Sequence, residues 1–404
     1  MTMRKLIHDH SRYLGFGFLH YFFSSVGQTY FISLFVVGMT ARMGWAEGTF
    51  AGIYSAVTLA AAFALPAIGT QVDRLRIRYV STAVALLVIT GCVVLGLTTS
   101  LYLLIPALFL VRLGGQGVLT LIGSTTVGRY FNEGRGKALS ATMIGLSLAE
   151  VIIPYTAVYL MAQYGYGAVW LGMAALIGVI FLPAVWLLIR RYDNFQRGDT
   201  VAEEQAAATP DAAPQASWTR AEVLSDRRFQ LLIPVFIFLP FVFTGLVFNQ
   251  SVIGQQRGYT AAWMAIGLST YGLSKVICLL SAGGLSDNYG PANLLRFAYL
   301  PMLLGLAVLL LVRGDLSIPV FFALSGITAG IESVLMPALW AERYGPRFLG
   351  SIKSTVRLLV VISSAAAPIV FSYGMRAGLE AWLALLLVYG VVCQGMLWLE
   401  RRIE

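Results

Sequence analysis

Residues 69–78 read GTQVDRLRIR, and residues 283–290 read GGLSDNYG. The glycine and the aspartate of the first stretch recur in the second at the same spacing, 214 positions further along the chain. Each stretch lies between two apolar runs that are long enough to cross a membrane. This repetition predicts two halves of similar design, each with a short polar segment between two spans.

Other residues recur at the same offset, which makes chance agreement a poor explanation. Parallel six-helix repeats are a known design of secondary transporters, with the substrate site near the middle of the membrane between them. The sequence therefore predicts a duplicated membrane protein. The further matches are Arg129 with Arg343, Tyr130 with Tyr344, Gly136 with Gly350, Ser140 with Ser354, and Pro154 with Pro368.

Composition supports a membrane location, since 58% of the 404 residues are hydrophobic and only 12% are charged. A soluble domain is about 25% charged. Backbone polar groups in lipid must be paired within the segment, and the alternating strands of a membrane barrel are absent. We therefore predict an all-α integral membrane protein with twelve transmembrane helices in two pseudo-symmetric six-helix bundles. The predicted spans are 14–40, 48–70, 79–98, 101–128, 138–162, 167–189, 229–254, 261–283, 292–312, 317–340, 350–372 and 379–400.

The long connection in the middle of the chain predicts the domain organisation. Residues 1–189 are expected to form the N-terminal six-helix bundle and residues 229–404 the C-terminal one. Residues 190–228 are rich in Ala, Pro, Glu and Gln in their middle part, a composition typical of a flexible linker. Within it, Thr219 and Glu222 have the spacing of a capping box, which predicts a short surface helix before the seventh span.

Basic residues predict the orientation. With the N-terminus in the cytoplasm, 22 of the 28 Lys and Arg residues fall on the inner side and two fall within spans. We therefore expect a multi-pass protein of the cell (inner) membrane with both termini cytoplasmic. The net charge of +9 then reflects topology and predicts no nucleic-acid partner. The four outer cations are Arg42, Arg257, Arg313 and Arg376.

The polar stretch at 69–78 resembles the signature G-x-x-x-D-R-x-G-R-R of the major facilitator superfamily, with Arg76 and Ile77 as departures. The second copy at 283–290 keeps Gly, Asp and Gly but has Asn288 in place of the arginine. Residues 112–117 (RLGGQG) are similar to the second motif of that family, around an intramembrane arginine. The resemblance covers the whole chain and implies a secondary transporter that works by alternating access.

A finer resemblance concerns residues 129–140, RYFNEGRGKALS. This segment is similar to the one that opens span five in monocarboxylate and oxalate–formate porters. It favours a small organic anion as the substrate, whereas the identity of that anion stays open.

Four charged residues are predicted within spans, where each costs about 2.5–3.5 kcal/mol on insertion scales. Arg112 and Glu150 lie about 17 and 18 Å from opposite edges of the membrane, at a rise of about 1.5 Å per residue. Lys275 and Glu332 lie at a second common height, about 12 Å from the cytoplasmic edge. We therefore expect the pairs Arg112–Glu150 and Lys275–Glu332, on spans that the family resemblance implies to line the central cavity. One carboxylate would carry a proton and one cation would hold an anionic substrate, or both pairs would lock helices statically.

Neutral polar residues in spans form a second group of candidate substrate contacts, although single amides in spans also join helices. These are Gln28, Gln116, Asn249 and Gln250. Tyr271, also on a predicted cavity helix, is assigned to ordinary packing.

A third group is predicted to form the cytoplasmic gate, because the polar stretches place carboxylates at helix ends that face basic loops. Its members would switch the conformation rather than contact the substrate. They are Gly69, Asp73, Arg74, Arg129, Gly283, Asp287 and Arg343.

The functional prediction is a monomeric secondary transporter that moves a small, monocarboxylate-like organic anion together with protons. Proton-driven efflux of amphipathic or cationic compounds is the alternative, and a membrane sensor without transport is the alternative from another class. No nucleotide-binding loop, metal-ligand spacing or nucleophile–base pattern is present in the sequence. We therefore expect no cofactor, no metal and no enzymatic activity; the expected partners are the substrate, protons and membrane lipid.

Overall fold

The computed structural model contains helices and their connections throughout the part of the chain that it describes. That part comprises residues 3–45, 47–98, 100–130, 135–189, 218–345 and 349–400. Contacts between residues divide the chain into two compact units, described separately below. Unit 1 contains Met1–Trp45, Ala56–Ala149 and Thr156–Ala213, and unit 2 contains Ala46–Ser55, Glu150–Tyr155 and Pro214–Glu404.

The first half of the sequence forms nine α-helices in the described residues. A 3₁₀ turn, Ser24–Gly27, interrupts the first predicted span, and a π-helical segment, Arg112–Leu119, interrupts the fourth. The helices are α1 (Met3–Phe23), α2 (Thr29–Ile32), α3 (Val36–Met43), α4 (Glu47–Arg74), α5 (Ile77–Leu97), α6 (Leu101–Val111), α7 (Thr120–Tyr130), α8 (Arg135–Leu176) and α9 (Leu182–Ile189).

The second half forms nine more helices among the described residues. Short breaks at Asn249 and Tyr299 divide two of the predicted spans. The helices are α10 (Arg220–Ser225), α11 (Arg227–Phe248), α12 (Gln250–Arg257), α13 (Ala261–Tyr289), α14 (Pro291–Ala298), α15 (Leu300–Leu311), α16 (Ser317–Tyr344), α17 (Leu349–Gly374) and α18 (Leu379–Glu400).

The helices are long enough and apolar enough to cross a membrane twelve times. Ten helices of the described chain qualify alone, and His10–Gly27 with Thr29–Met43, bent by 40°, form another span. One of the ten, Lys137–Ile189, has 53 residues and a length of about 80 Å, more than twice the thickness of the hydrocarbon core. Gly165 breaks it with φ 80° and ψ 162°, a conformation that glycine adopts without strain. Counting this helix as two spans gives the predicted twelve, and the fold class is confirmed.

Large apolar side chains cover much of the outer helix surfaces, as expected of helices that lipid solvates. Phe63, Tyr102, Val179 and Leu311 are each at least 70% exposed. In water such a surface would aggregate, because soluble proteins rarely expose contiguous apolar patches. The exposed apolar surface therefore supports the membrane location independently of helix length.

The first predicted span, 14–40, is present as two helices bent at a break and not as one regular helix. Apolar length indicates a crossing but not the local geometry, and Ser24, Ser25 and Gly27 favour turns as readily as a helix. The backbone of Gly27 packs directly on the π-helical segment in unit 1, so the break coincides with a close contact between spans.

The expected short helix before span seven is present as α10. Thr219 and Glu222 form the predicted capping box, with Thr219 N–H donating to Glu222 Oε2 at 2.6 Å and Glu222 N–H donating to Thr219 Oγ1 at 3.4 Å. Asp226 then caps α11 by accepting from Arg228 N–H at 3.0 Å, and it also accepts from the Tyr344 hydroxyl at 2.7 Å. These contacts tie the start of span seven to the end of α16.

Candidate functional site

Glu150 and Lys275 form a buried ion pair in unit 2. The Lys275 Nζ lies 3.0 Å from Oε1 and 2.9 Å from Oε2 of Glu150. The two side chains are only 13% (Lys275) and 9% (Glu150) exposed. The pair joins α8 to α13, which lie 125 positions apart in the sequence at these residues. Removing one partner of such a buried pair is costly, because it leaves the other charge buried and unpaired.

A glycine allows α13 to approach α8 closely enough for this pair to form. A Cβ added at Gly272 would lie 2.8 Å from Val151 N and 2.9 Å from the carbonyl carbon and Cβ of Glu150. One turn earlier, the Ser269 hydroxyl donates to the Val151 carbonyl at 2.7 Å. One face of α13 thus carries three residues at intervals of three: Ser269, Gly272 and Lys275. The two residues at the close contacts, Ser269 and Gly272, are small.

An aromatic ring lies beside the cation. The Lys275 Nζ is 5.4 Å from the centre of the Tyr271 ring, a cation–π distance. Tyr271 is itself stacked on Phe243, with ring centres 4.1 Å apart. Tyr271 therefore contacts the Lys275 amine as well as packing on Phe243.

The predicted pairing of the four intramembrane charges is wrong in its partners. Lys275 contacts Glu150 and makes no ion pair with Glu332 among the described residues. The prediction compared heights along the helices, and height does not report the direction in which a residue faces around the helix axis. The structure thus brings together one predicted acid and one predicted base, in a different combination.

Glu332, on α16, is half-buried and makes no ion pair with any described cation. The Tyr299 hydroxyl lies beside its carboxyl group, but neither this hydroxyl nor Glu332 Oε2 makes a well-aligned hydrogen bond within the described chain. Tyr271 lies within electrostatic reach of both Glu150 and Glu332. Glu150 and Glu332 therefore both act on the same tyrosine of unit 2.

Arg112 is held by backbone in unit 1. Its Nη1 donates to the Gly27 carbonyl at 2.7 Å, and the residue is 2% exposed. The 3₁₀ turn that ends at Gly27 leaves carbonyls without helical partners, and such freed groups are natural acceptors for a buried guanidinium. A Cβ at Gly27 would lie 2.8 Å from Gly115 Cα, so only glycine permits this contact between the turn and the π-helical segment.

The four predicted amides lie at interruptions of the helices. Gln28 begins the turn after the 3₁₀ segment, its carbonyl accepting from Phe31 and Ile32 N–H at 3.2 and 3.1 Å. The Gln116 carbonyl, within the π-helical segment, accepts from the Thr120 hydroxyl at 2.6 Å.

In unit 2 the side chain of Asn249 bridges two helices. Its Nδ2 donates to the Gly245 carbonyl at 2.8 Å and its Oδ1 accepts from the Ser372 hydroxyl at 3.0 Å. Gln250, the next residue, is 2% exposed. These amides lie beside other polar groups of the backbone and side chains within the spans. In this position an amide can bond a polar solute or join two helices.

Only one predicted gate residue has a described side chain. Arg343 Nη1 lies 2.5 Å from Glu400 Oε1, which ties the end of α16 to the end of α18. The gate glycines Gly69 and Gly283 lie on helices. The remaining gate residues also lie on helices, but their side chains are outside the described part of the structure: Asp73, Arg74, Arg129 and Asp287.

Sequence reasoning missed the residues that support the charges. Tyr299 was not selected, because a tyrosine in an apolar run carries no signal of its own. The S-x-x-G-x-x-K spacing of Ser269, Gly272 and Lys275 was a usable signal, since small residues at one helical face mark a close approach in membranes.

The chain matches a sequence model of the Major Facilitator Superfamily over residues 17–368. The chain belongs to the major facilitator superfamily. No curated protein matches its sequence. Among solved structures, this superfamily member is similar to a mutant of the nucleoside transporter NupG, with a TM-score of 0.68 and 13% sequence identity over 97% of this chain and 99% of that one. At this identity the likeness shows the shared fold, which agrees with the twelve spans and two units described above.

Proposed function

We propose that this superfamily member is a secondary active transporter that moves a small, monocarboxylate-like organic anion together with protons by alternating access. The observation that carries the proposal is the buried Glu150–Lys275 pair, in which an acid neutralises an amine that could bind an anion. The charge distribution supports a location in the cell (inner) membrane with both termini cytoplasmic, and the transporter is proposed to act as a monomer.

The pair suggests how proton and anion binding are coupled. While Glu150 is ionised, it competes with any anion for the Lys275 amine. Protonation of Glu150 removes the competitor, and an incoming carboxylate then takes its place on Lys275. The site has the same net charge before and after loading, which avoids the large cost of adding one unpaired charge to a low-dielectric region. This scheme favours one proton per monovalent anion.

Glu332 supplies a second carboxyl group in the same region. Because no described cation pairs with it, we propose that it exchanges a proton without releasing a basic partner. Tyr299 and Tyr271, which lie near this carboxyl group, would restrict its contact with water.

A second candidate is proton-driven efflux of cationic compounds. The observation that favours it is Glu332, since a half-buried carboxyl group that pairs with no described basic residue is a suitable contact for a cation. A nucleoside, which the structurally similar NupG transports by its name, is a neutral compound that belongs in the same comparison.

The test is transport by the purified protein in liposomes that contain a pH-sensitive dye. Lactate, benzoate, uridine and a lipophilic cation are each added outside. The expected result is proton movement coupled to uptake of a carboxylate. Proton movement with the cation alone supports the second candidate. If no compound produces proton movement, the proposal is contradicted.

Glu150→Gln separates the steps. It is expected to abolish proton-coupled uptake but to keep exchange of labelled carboxylate for unlabelled carboxylate, because Lys275 remains available. The matched control is Glu222→Gln, at a solvent-exposed acid on α10, which is expected to leave both activities unchanged. Proton coupling that persists in Glu150→Gln would refute this mechanism.

A further inference from the structure

Two arginines and one glutamate meet at one end of unit 2, well away from Lys275. Arg257 ends α12, Arg313 follows α15, and Glu380 lies in the first turn of α18. We name these three residues the outer cluster, because Arg257 and Arg313 are two of the four basic residues assigned to the outer side. Cations are disfavoured on that side, so their convergence on one carboxylate has a local cause.

The outer cluster has more positive than negative charge. Glu380 Oε1 is 3.3 Å from Arg313 Nη2 and 3.7 Å from Arg257 Nη2. The Arg313 and Glu380 side chains are 75% and 47% exposed, whereas that of Arg257 is only 5% exposed. The Oε1 atom of the half-exposed Glu380 thus lies near both guanidinium groups.

The guanidinium of Arg257 is buried, and the described residues offer it no hydrogen bond. Its Nε, Nη1 and Nη2 have no hydrogen-bond partner in the described part of the chain, and 3.7 Å to Glu380 is too long for one. A guanidinium carries five N–H donors in a planar fork, and leaving them unsatisfied in a buried position is costly. The planar fork matches an oxyanion, which it binds through two parallel hydrogen bonds.

This site is distinct from the Glu150–Lys275 pair. Trp263 Nε1 donates to the Asp315 carbonyl at 2.6 Å, which fixes the start of α13 beside the loop that carries Arg313. Lys275 lies 12 residues further along α13, about 18 Å from that end. An anion on the outer cluster therefore cannot contact Lys275 at the same time.

We infer that Arg257 and Arg313 form a binding site for a small oxyanion, a carboxylate or a phosphate group, in which Glu380 is the internal competitor. The anion replaces Glu380 beside Arg257 and satisfies the fork of the buried guanidinium. Glu380, which is half-exposed, turns to water at little cost. This inference does not depend on the proposed transport mechanism.

The test is binding of sodium benzoate and of inorganic phosphate to the purified full-length chain, measured by titration calorimetry and thermal unfolding. To remove any contribution of the membrane-buried pair, all variants are made in a Lys275→Met/Glu150→Gln background. Arg257→Gln is expected to weaken binding about tenfold or more, as loss of a charge-assisted bidentate contact does. Glu380→Gln is expected to tighten it by a similar factor of about ten, because the competitor loses its charge.

The matched control is Arg376→Gln, at another outer arginine, which packs over the Tyr373 ring; its affinity is expected to equal that of the background. An Arg257→Gln affinity equal to the background, or a Glu380→Gln affinity that does not rise, overturns the inference. If Arg257→Gln does not unfold cooperatively, the inference is tested by the increase in anion affinity of Glu380→Gln alone.

A lipid headgroup is separated from a soluble anion by repeating the titration in nanodiscs. If benzoate binding is lost in phosphatidylglycerol nanodiscs but kept in phosphatidylcholine nanodiscs, the lipid phosphate occupies the site as the oxyanion. In that case Arg257→Gln is expected to show no benzoate binding in either lipid. Equal responses in both lipids support a soluble anion.

Discussion

Arg112 and Lys275 are both cations buried in membrane-spanning helices, yet their surroundings differ in kind. Arg112 donates to the backbone carbonyl of Gly27, a group that cannot change its charge. Lys275 is paired with the carboxylate of Glu150, a group that takes up and releases a proton. The first arrangement is suited to fixing two helix interruptions together, and the second to switching. The chemical nature of these two partners therefore distinguishes the two cations, whereas their depth does not.

The largest expected effect tests whether Glu150 and Lys275 depend on each other as a pair. Lys275→Met leaves Glu150 buried without a cation, which should lower the free energy of unfolding by about 3–5 kcal/mol. Lys275→Met/Glu150→Leu removes both charges and should recover most of that loss, while transport stays abolished. Thermal unfolding in detergent and liposome flux measure the two outcomes. Equal instability of the single and double variants would show that the pair is not the unit that we describe.

Arg112 should behave in the opposite way, with an effect on stability and little on substrate affinity. Arg112→Gln removes the charged donor from the Gly27 carbonyl, and we expect a loss of about 1–3 kcal/mol. Substrate affinity, measured by calorimetry on the folded fraction, should stay within about twofold of the parent. A stable Arg112→Gln protein that no longer binds substrate would break the comparison, since it would place Arg112 in the binding site.

The close approach at Gly272 gives the next effect. Gly272→Ala places a methyl group against Glu150 and Val151 and should destabilise the protein by about 1–3 kcal/mol through overpacking. It should also weaken proton coupling, because the added methyl group displaces Glu150 from Lys275. The control is Gly395→Ala in α18, where an added Cβ meets no atom within 4 Å and stability should be unchanged or slightly higher. A tolerated Gly272→Ala with normal coupling would mean that the pair does not require this contact.

The smallest expected effect concerns the exposed carboxylate of Glu222, for comparison with the buried cations Arg112 and Lys275. Hydrogen bonds from the Thr219 N–H and hydroxyl hold the pKa of Glu222 below its usual value. The stabilisation is thus present above the usual glutamate range and is lost as the pH falls through the lowered pKa. Hydrogen exchange of residues 220–225, corrected for intrinsic rates, should speed up in that acidic range. In Glu222→Gln, hydrogen exchange of these residues should lose this pH dependence. If the dependence is unchanged in the variant, it arises from another titratable group.

Much of the fold was predictable because membrane spans follow from apolar length alone. Span twelve was predicted as 379–400 and α18 is Leu379–Glu400. The capping box at Thr219 was also predictable, since it depends on two residues three apart. The break in span one was not, because it depends on contact with residues near Gly115, more than eighty positions away.

The site was predictable in its members and not in its pairing. Four charges stood out because charge is rare in lipid. Partner choice depends on which way each side chain faces after α8 and α13 have packed, and the small residues Ser269 and Gly272 determine that packing. The guanidinium of Arg257 was missed as a candidate because the sequence places it in a loop, where burial cannot be inferred.

The separation of Glu150 and Lys275 along the chain has a consequence for biosynthesis. Gly27 has already left the ribosome when Arg112 emerges, so this arginine enters the membrane with its acceptor waiting. Glu150 emerges 125 residues before its amine, which at about 5–20 residues per second amounts to roughly 6–25 seconds. During that interval the ionised acid has no counter-charge, so it stays with the translocon or in water unless it is protonated. The fifth span is therefore expected to settle in the bilayer late, after the eighth has been made.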